Sequence, residues 1–159
     1  MKNSSFYTLA IAILTICSCQ SDPKQKSGSS KKVQIDKMVS RTCYLSTYES
    51  DTLVLQLEQK ASGKVTGKLL MKFPIMPTND GTIEGKFVGD TLFVDYTFIA
   101  GSNKKKTFKN PLAFLQQGNI LIMGVGVIET SFGRSYFARD KAINFARGKY
   151  HFNVTDCHK

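Results

Sequence analysis

The sequence predicts an all-β domain: an antiparallel meander closing into a barrel of about eight strands, with a β-sandwich as the alternative. Three observations carry this. Apolar residues recur with a period of two between residues 53 and 98, turn signals punctuate the runs at hairpin spacing, and Cys43 and Cys157 stand near the two ends of the patterned region. Successive side chains on a strand face opposite ways, so a period of two marks a half-buried sheet, where a helix would repeat every ~3.6 residues.

Leu53, Leu55 and Leu57 alternate with Val54, Gln56 and Glu58, and Val65, Gly67, Leu69, Met71 and Phe73 alternate with Thr66, Lys68, Leu70 and Lys72. Ile83, Gly85 and Phe87 then oppose Thr82, Glu84 and Lys86, and Leu92, Val94, Tyr96 and Phe98 oppose Thr91, Asp95 and Thr97. Between these runs stand Ala61-Ser62-Gly63, residues 77–81, Gly89-Asp90, Gly101-Ser102-Asn103 and Gly118-Asn119, whose residue types favour tight turns. Further strands are expected at 107–116, 119–129, 134–139 and 149–155. Pro111 is expected to break or bulge its strand. Over 138–147 a short helix competes with a strand or loop. Short echoes, such as Asp51-Thr52-Leu53 and Asp90-Thr91-Leu92, follow from similar turn chemistry launching similar strands.

A meander of this length must hide its edges, and closure removes them. Gly67, Gly85, Gly124 and Gly126 fall in phase with the apolar face, where glycine either lets strands coil sharply or leaves room inside. A barrel of eight strands is filled by its own side chains or holds one small ligand. Phe73, Phe87, Tyr96, Phe98 and Phe114 share the inward phase and are the candidate lining of a site for a small apolar or amphipathic ligand.

The amino terminus has a different character. Lys2 precedes a mostly apolar stretch from Phe6 to Ile16, too short to span a bilayer as a permanent helix, and Ser18 is a small residue immediately before Cys19. Leu14-Thr15-Ile16-Cys17-Ser18-Cys19 resembles a bacterial lipobox. That resemblance implies cleavage before Cys19 and acylation of its sulfur; Cys17 would need the bulky Ile16 in the small-residue position. The organisation expected is a signal peptide over 1–18, a lipidated Cys19 with a polar linker over 19–40, and a β domain over 41–159. Residues 20–32 contain no aliphatic or aromatic side chain, so they cannot bury enough surface to fold. Some 20 such residues reach about 25 Å.

Export also reads the cysteines. With Cys17 discarded and Cys19 acylated, Cys43 and Cys157 remain, and in an oxidising compartment a single pair is most simply a disulfide, the alternative being two unpaired thiols. No metal site is expected. Asp156, Cys157 and His158 with His151 lack the converging spaced pairs that zinc requires.

The elements Cys43-Tyr44, Asp80-Gly81-Thr82-Ile83-Glu84-Gly85, Gly89-Asp90-Thr91-Leu92 and Val154-Thr155-Asp156-Cys157, behind a leader, a cysteine and a polar tether, resemble the small lipoproteins of Bacteroidota type. The domain is also similar in shape to the lipocalin-type calycins. These resemblances imply export and an outer-membrane home, with the periplasmic face favoured over the cell surface. They imply no reaction.

Catalytic material is sparse. His151 and His158 are the only histidines, and neither a Gly-x-Ser-x-Gly elbow nor, beyond the leader, a Cys-x-x-Cys pair occurs. Of the carboxylates, Asp95 stands out because Phe93 and Ile99 share its phase, but a solvated outer-face role is the simpler one. The expectation is a binding protein without a cofactor. Its net charge of +10 extends into the domain, where Lys104, Lys105, Lys106 and Lys109 form a candidate basic patch for headgroups, anionic glycans or acidic proteins. Compartment disfavours nucleic acid. The expected partners are membrane lipid through Cys19 and either a small ligand inside the barrel or an envelope protein, which the domain would assemble with or inhibit, on its outer surface.

Overall fold

The computed structural model of the chain describes residues 36–102 and 105–157. The chain divides between residues 33 and 34, and the described residues all belong to the second unit. The leader, Cys19, the linker through residue 35, Lys104 and His158 lie outside the described residues.

Ten strands follow in order: β1 (Met38–Tyr48), β2 (Asp51–Lys60), β3 (Lys64–Lys72), β4 (Asn79–Val88), β5 (Thr91–Ala100), β6 (Thr107–Gln117), β7 (Ile120–Met123), β8 (Ile128–Ser131), β9 (Arg134–Phe137) and β10 (His151–Thr155). Eight of them close into an antiparallel barrel in the order β1, β10, β7, β6, β5, β4, β3, β2, and β8 and β9 form a separate hairpin. The barrel is the predicted fold, and the sandwich alternative falls away. Residues 88–91 and 117–120 close two-residue turns, with Gly89 (φ 58°) and Gly118 (φ 59°) in the left-handed region that a hairpin matched to strand twist demands.

Period two translates directly into an interior. Leu53, Leu55 and Leu57 on β2, Val65 and Leu69 on β3, Ile83 on β4, and Leu92, Val94 and Tyr96 on β5 are all buried in one cluster. Each such side chain contributes about 1.5–3 kcal/mol on leaving water. The inward glycines coil the sheet. A Cβ on Gly67 would collide with the carbonyl oxygen of Gln56 on β2, and one on Gly85 with that of Phe93 on β5, so neighbouring backbone occupies the space a side chain would need.

Three sequence expectations are corrected, and the alternatives left open over 138–147 resolve to a loop. The fold begins before Arg41: β1 starts at Met38, and Asp36 accepts bonds from Ser62 N–H (3.1 Å) and Ser62 Oγ (2.6 Å) in the β2–β3 turn. Pro111 sits inside β6 opposite Asp95 without any shift of register. Gln116 N–H bonds to Asp90 O, so residue 116 and its even-numbered neighbours face β5, and Pro111 turns its nitrogen the other way. β7 pairs only with residues 114–117, so no ladder bond is lost there. The single run expected over 119–129 divides into β7 and β8, because the chain leaves the barrel at Gly124 and Gly126, whose Cβ positions are filled by Ile143, Phe145 and Phe137. Residues 138–147 contain no helix; Val125 and Asn144 instead exchange two backbone bonds of 3.0 and 2.8 Å.

The seam is a thin part of the wall, as is the three-pair ladder between β10 and β7. β1 and β10 pair only through Cys43↔Thr155, Tyr44↔Val154 and Leu45↔Asn153, and a disulfide joins Cys43 to Cys157 with Cα atoms 5.2 Å apart. The expected bridge is present and staples this seam.

Candidate functional site

The five aromatic residues expected to line a ligand site lie in or against the interior cluster, and Phe87 also borders the outer groove. Phe114 is fully buried and meets Phe152 edge to face at 5.5 Å; Tyr96 stacks on Phe98 at 4.6 Å, and Phe98 on Phe108 at 5.4 Å. Phe73 and Phe87 are partly buried against the same cluster. The rings pack on one another, and Tyr96 Oη donates to Leu69 O at 3.0 Å. Ser46 is the exception in this apolar setting, with a buried hydroxyl that has no hydrogen-bond partner among the described residues.

Burial has an electrostatic consequence. It pushes the Tyr96 phenol far above its usual range, with the Asp80 carboxylate adding to the rise, and it also raises Tyr44 and Tyr150. A phenol whose pKa is higher folded than unfolded holds its proton longer in the fold. Its contribution is therefore complete below the ordinary value near 10 and is lost as pH rises above it. The urea midpoint is expected to stay level to about pH 9.5 and then fall steeply, with a shallower fall in Tyr96→Phe; parallel curves for the two proteins would refute this.

The outer wall holds a broad concavity. An open groove of about 880 Å³ crosses β4, β5 and β6 and ends against Phe137 of the hairpin. Its floor is built from outward phases: Thr82, Glu84 and Lys86 on β4, Phe93, Asp95 and Thr97 on β5, and Lys109 and Pro111 on β6. The charges there are largely matched, Lys109 with Asp95 at 2.7 Å and Lys64 with Glu84 at 2.7 Å. A second recess of about 530 Å³ shares Asp95, Pro111 and Phe137 and continues along Phe132, Arg134 and Tyr136. Half-exposed Phe93 supplies an apolar contact between paired charges and threonine hydroxyls. Such a surface can grip an extended, amphipathic segment, and Asp95 on its floor is paired with Lys109.

Two lysines of the candidate basic patch make separate contacts. Lys106 lies over the Phe108 ring at 5.0 Å by the β5–β6 loop, while Lys109 belongs to the groove through Asp95. Lys104 lies outside the described residues.

A different cluster bridges the seam where β1 and β10 part. Tyr150 Oη donates to Asp51 Oδ2 at 2.6 Å, and Lys149 Nζ stands 3.5 Å from the same carboxylate and about 5 Å from the rings of Tyr48 and Tyr150. The Tyr150 hydroxyl is the main reason that Lys149 is held above the usual lysine range, and burial, reinforced by the bond to Asp51, raises Tyr150. These side chains replace the missing ladder bonds, a structural role. No local pattern announces it, because Asp51 and Tyr150 are 99 residues apart. Phe93 was legible as an aromatic residue in a polar phase; the covering Phe137 was not. Among the described residues no group of His, Cys, Asp or Glu is arranged to hold a metal ion.

Comparison with protein-family models, curated proteins and solved structures finds no match.

Proposed function

We propose that this chain is a lipid-anchored, non-enzymatic protein of the bacterial envelope, held at the periplasmic face of the outer membrane, whose barrel recognises an envelope protein through its outer groove. The anchor rests on the sequence around Cys19 and the polar linker behind it. The observation that carries the binding surface is Phe93, an aromatic side chain 39% exposed on the floor of a concave wall, while Tyr96, Phe98 and Phe114 are engaged with other interior rings. Exposed aromatic residues in a concavity contribute strongly when a partner covers them.

A photoreactive benzoylphenylalanine in place of Phe93 is expected to give a discrete adduct in intact cells, and none when it replaces Val54 on β2. Labelled palmitate is expected to enter the wild-type chain and not Cys19→Ala. Equal adducts at both positions would overturn the groove, and an unlabelled wild-type chain would overturn the anchor. A second reading, a small amphipathic ligand inside the barrel, draws its support from the unpartnered hydroxyl of Ser46.

A further inference from the structure

The β8–β9 hairpin contains a local contradiction. Its tip, Phe132-Gly133, joins the paired residues Ser131 and Arg134, and both tip residues have positive φ, 49° and 72°. This is the turn in which Asn-Gly or Gly-Gly is at ease, because a Cβ is disfavoured in the left-handed region and a bulky aromatic more so. Phe132 is nevertheless there, with its ring wholly in solvent at 104% relative exposure. It gains no packing in exchange for that strain. Gly63, Gly89, Gly101 and Gly118 take positive φ at other turns, and among the described residues Glu49 (φ 52°), in the β1–β2 turn, is the other non-glycine residue in this region.

The surroundings extend the pattern. Val125, Val127 and Ile128 lead into the hairpin about half exposed, and Tyr136 on β9 is 39% exposed. Arg134 stands at the turn and Arg139 and Arg147 follow, all exposed, whereas Glu129 and Asp140 are the acids of the excursion and Asp140 is paired to Lys141 at 3.3 Å. An apolar tip with arginines behind it is complementary to one kind of surface: an apolar layer beneath a sheet of negative phosphates.

We infer that the β8–β9 hairpin is a lipid-docking finger, which seats Phe132 at the boundary between headgroups and acyl chains of an anionic leaflet and sets Arg134 and Arg139 against lipid phosphates. The contact stands on the hairpin alone. One buried ring and a few arginines bind weakly and reversibly, so the finger orients a barrel that is already near a membrane. In the setting of the proposed anchor it would turn the barrel wall that carries the hairpin toward the lipid.

The chain contains no tryptophan, so Phe132→Trp places a single reporter at the tip. The test uses the mature chain with Cys19→Ser, free of its own lipid, and vesicles of phosphatidylcholine with or without phosphatidylglycerol. Tryptophan emission is expected to shift to the blue, and to be quenched by acyl-chain bromine, with the anionic vesicles only. Phe132→Asn, which suits the turn, is expected to weaken vesicle sedimentation about tenfold while leaving the melting temperature unchanged or higher. Arg134→Ala is expected to weaken it about fivefold. Phe93→Ser should leave it unchanged, which separates this contact from the groove. Emission unaltered by anionic vesicles overturns the proposal, as does a blue shift obtained only with lipid-free envelope proteins, which would make the finger a protein contact.

Discussion

Replacing both Cys43 and Cys157 by serine is expected to lower the unfolding free energy by about 4–5 kcal/mol, a large part of the 5–15 kcal/mol typical of whole domains. The two residues are 114 apart, so the bridge removes from the unfolded chain nearly every conformation in which the ends of the domain separate. The folded state has little else to hold those ends. β1 and β10 share three residue pairs, and where that ladder stops, the Asp51, Lys149 and Tyr150 cluster takes over on the wet rim of the barrel. Urea unfolding with and without reductant measures the effect, and amide exchange should show β10 opening first in the reduced protein. Equal midpoints for the oxidised and reduced forms would show that the seam is held by packing alone.

Phe114→Ala is the second large effect, at about 3–5 kcal/mol. The ring is fully buried, it meets Phe152 at 5.5 Å, and it lies in the cluster formed by Tyr96, Phe98 and the β2 leucines. Where neighbours pack closely on the ring, its removal forfeits both transfer energy and the contacts of every neighbour that cannot follow. The experiment also bears on function. A ring that lined a space kept for a ligand would have few neighbours to lose, and the cost would be below about 1.5 kcal/mol, as for a mild core change. A small measured loss would therefore favour an interior ligand and weaken the case for recognition at the outer groove.

Much of the barrel was legible because its cause is local. Leu53 to Leu57 and Leu92 to Phe98 alternate so regularly that the inner face could be assigned residue by residue, and the Gly89 and Gly118 turns were equally plain. Pro111 misled because the rule against proline concerns the neighbour its nitrogen faces, and nothing near residue 111 reveals that β7 stops short of it. The run from Ile120 to Glu129 misled for a related reason. An apolar stretch with two glycines suits a coiled strand, and only Ile143, Phe145 and Phe137 packing on Gly124 and Gly126 show the chain departing.

The candidate site divides the same way. Tyr96, Phe98 and Phe114 could be placed inside from their phase, but phase does not say whether facing rings meet or leave a gap. That depends on how far the strands coil, which Gly67 and Gly85 set through the backbone of β2 and β5.

By itself, then, the amino-acid order determined strands, turns, faces and the pair of cysteines, since each depends on backbone preference and alternation within a few residues. Tertiary structure alone decided the register of the seam between β1 and β10, the contacts among the interior rings, the groove that Phe137 completes beside Phe93, and the exposure of Phe132. Those features depend on contacts between residues tens of positions apart, whose geometry exists only once the sheet has twisted and closed.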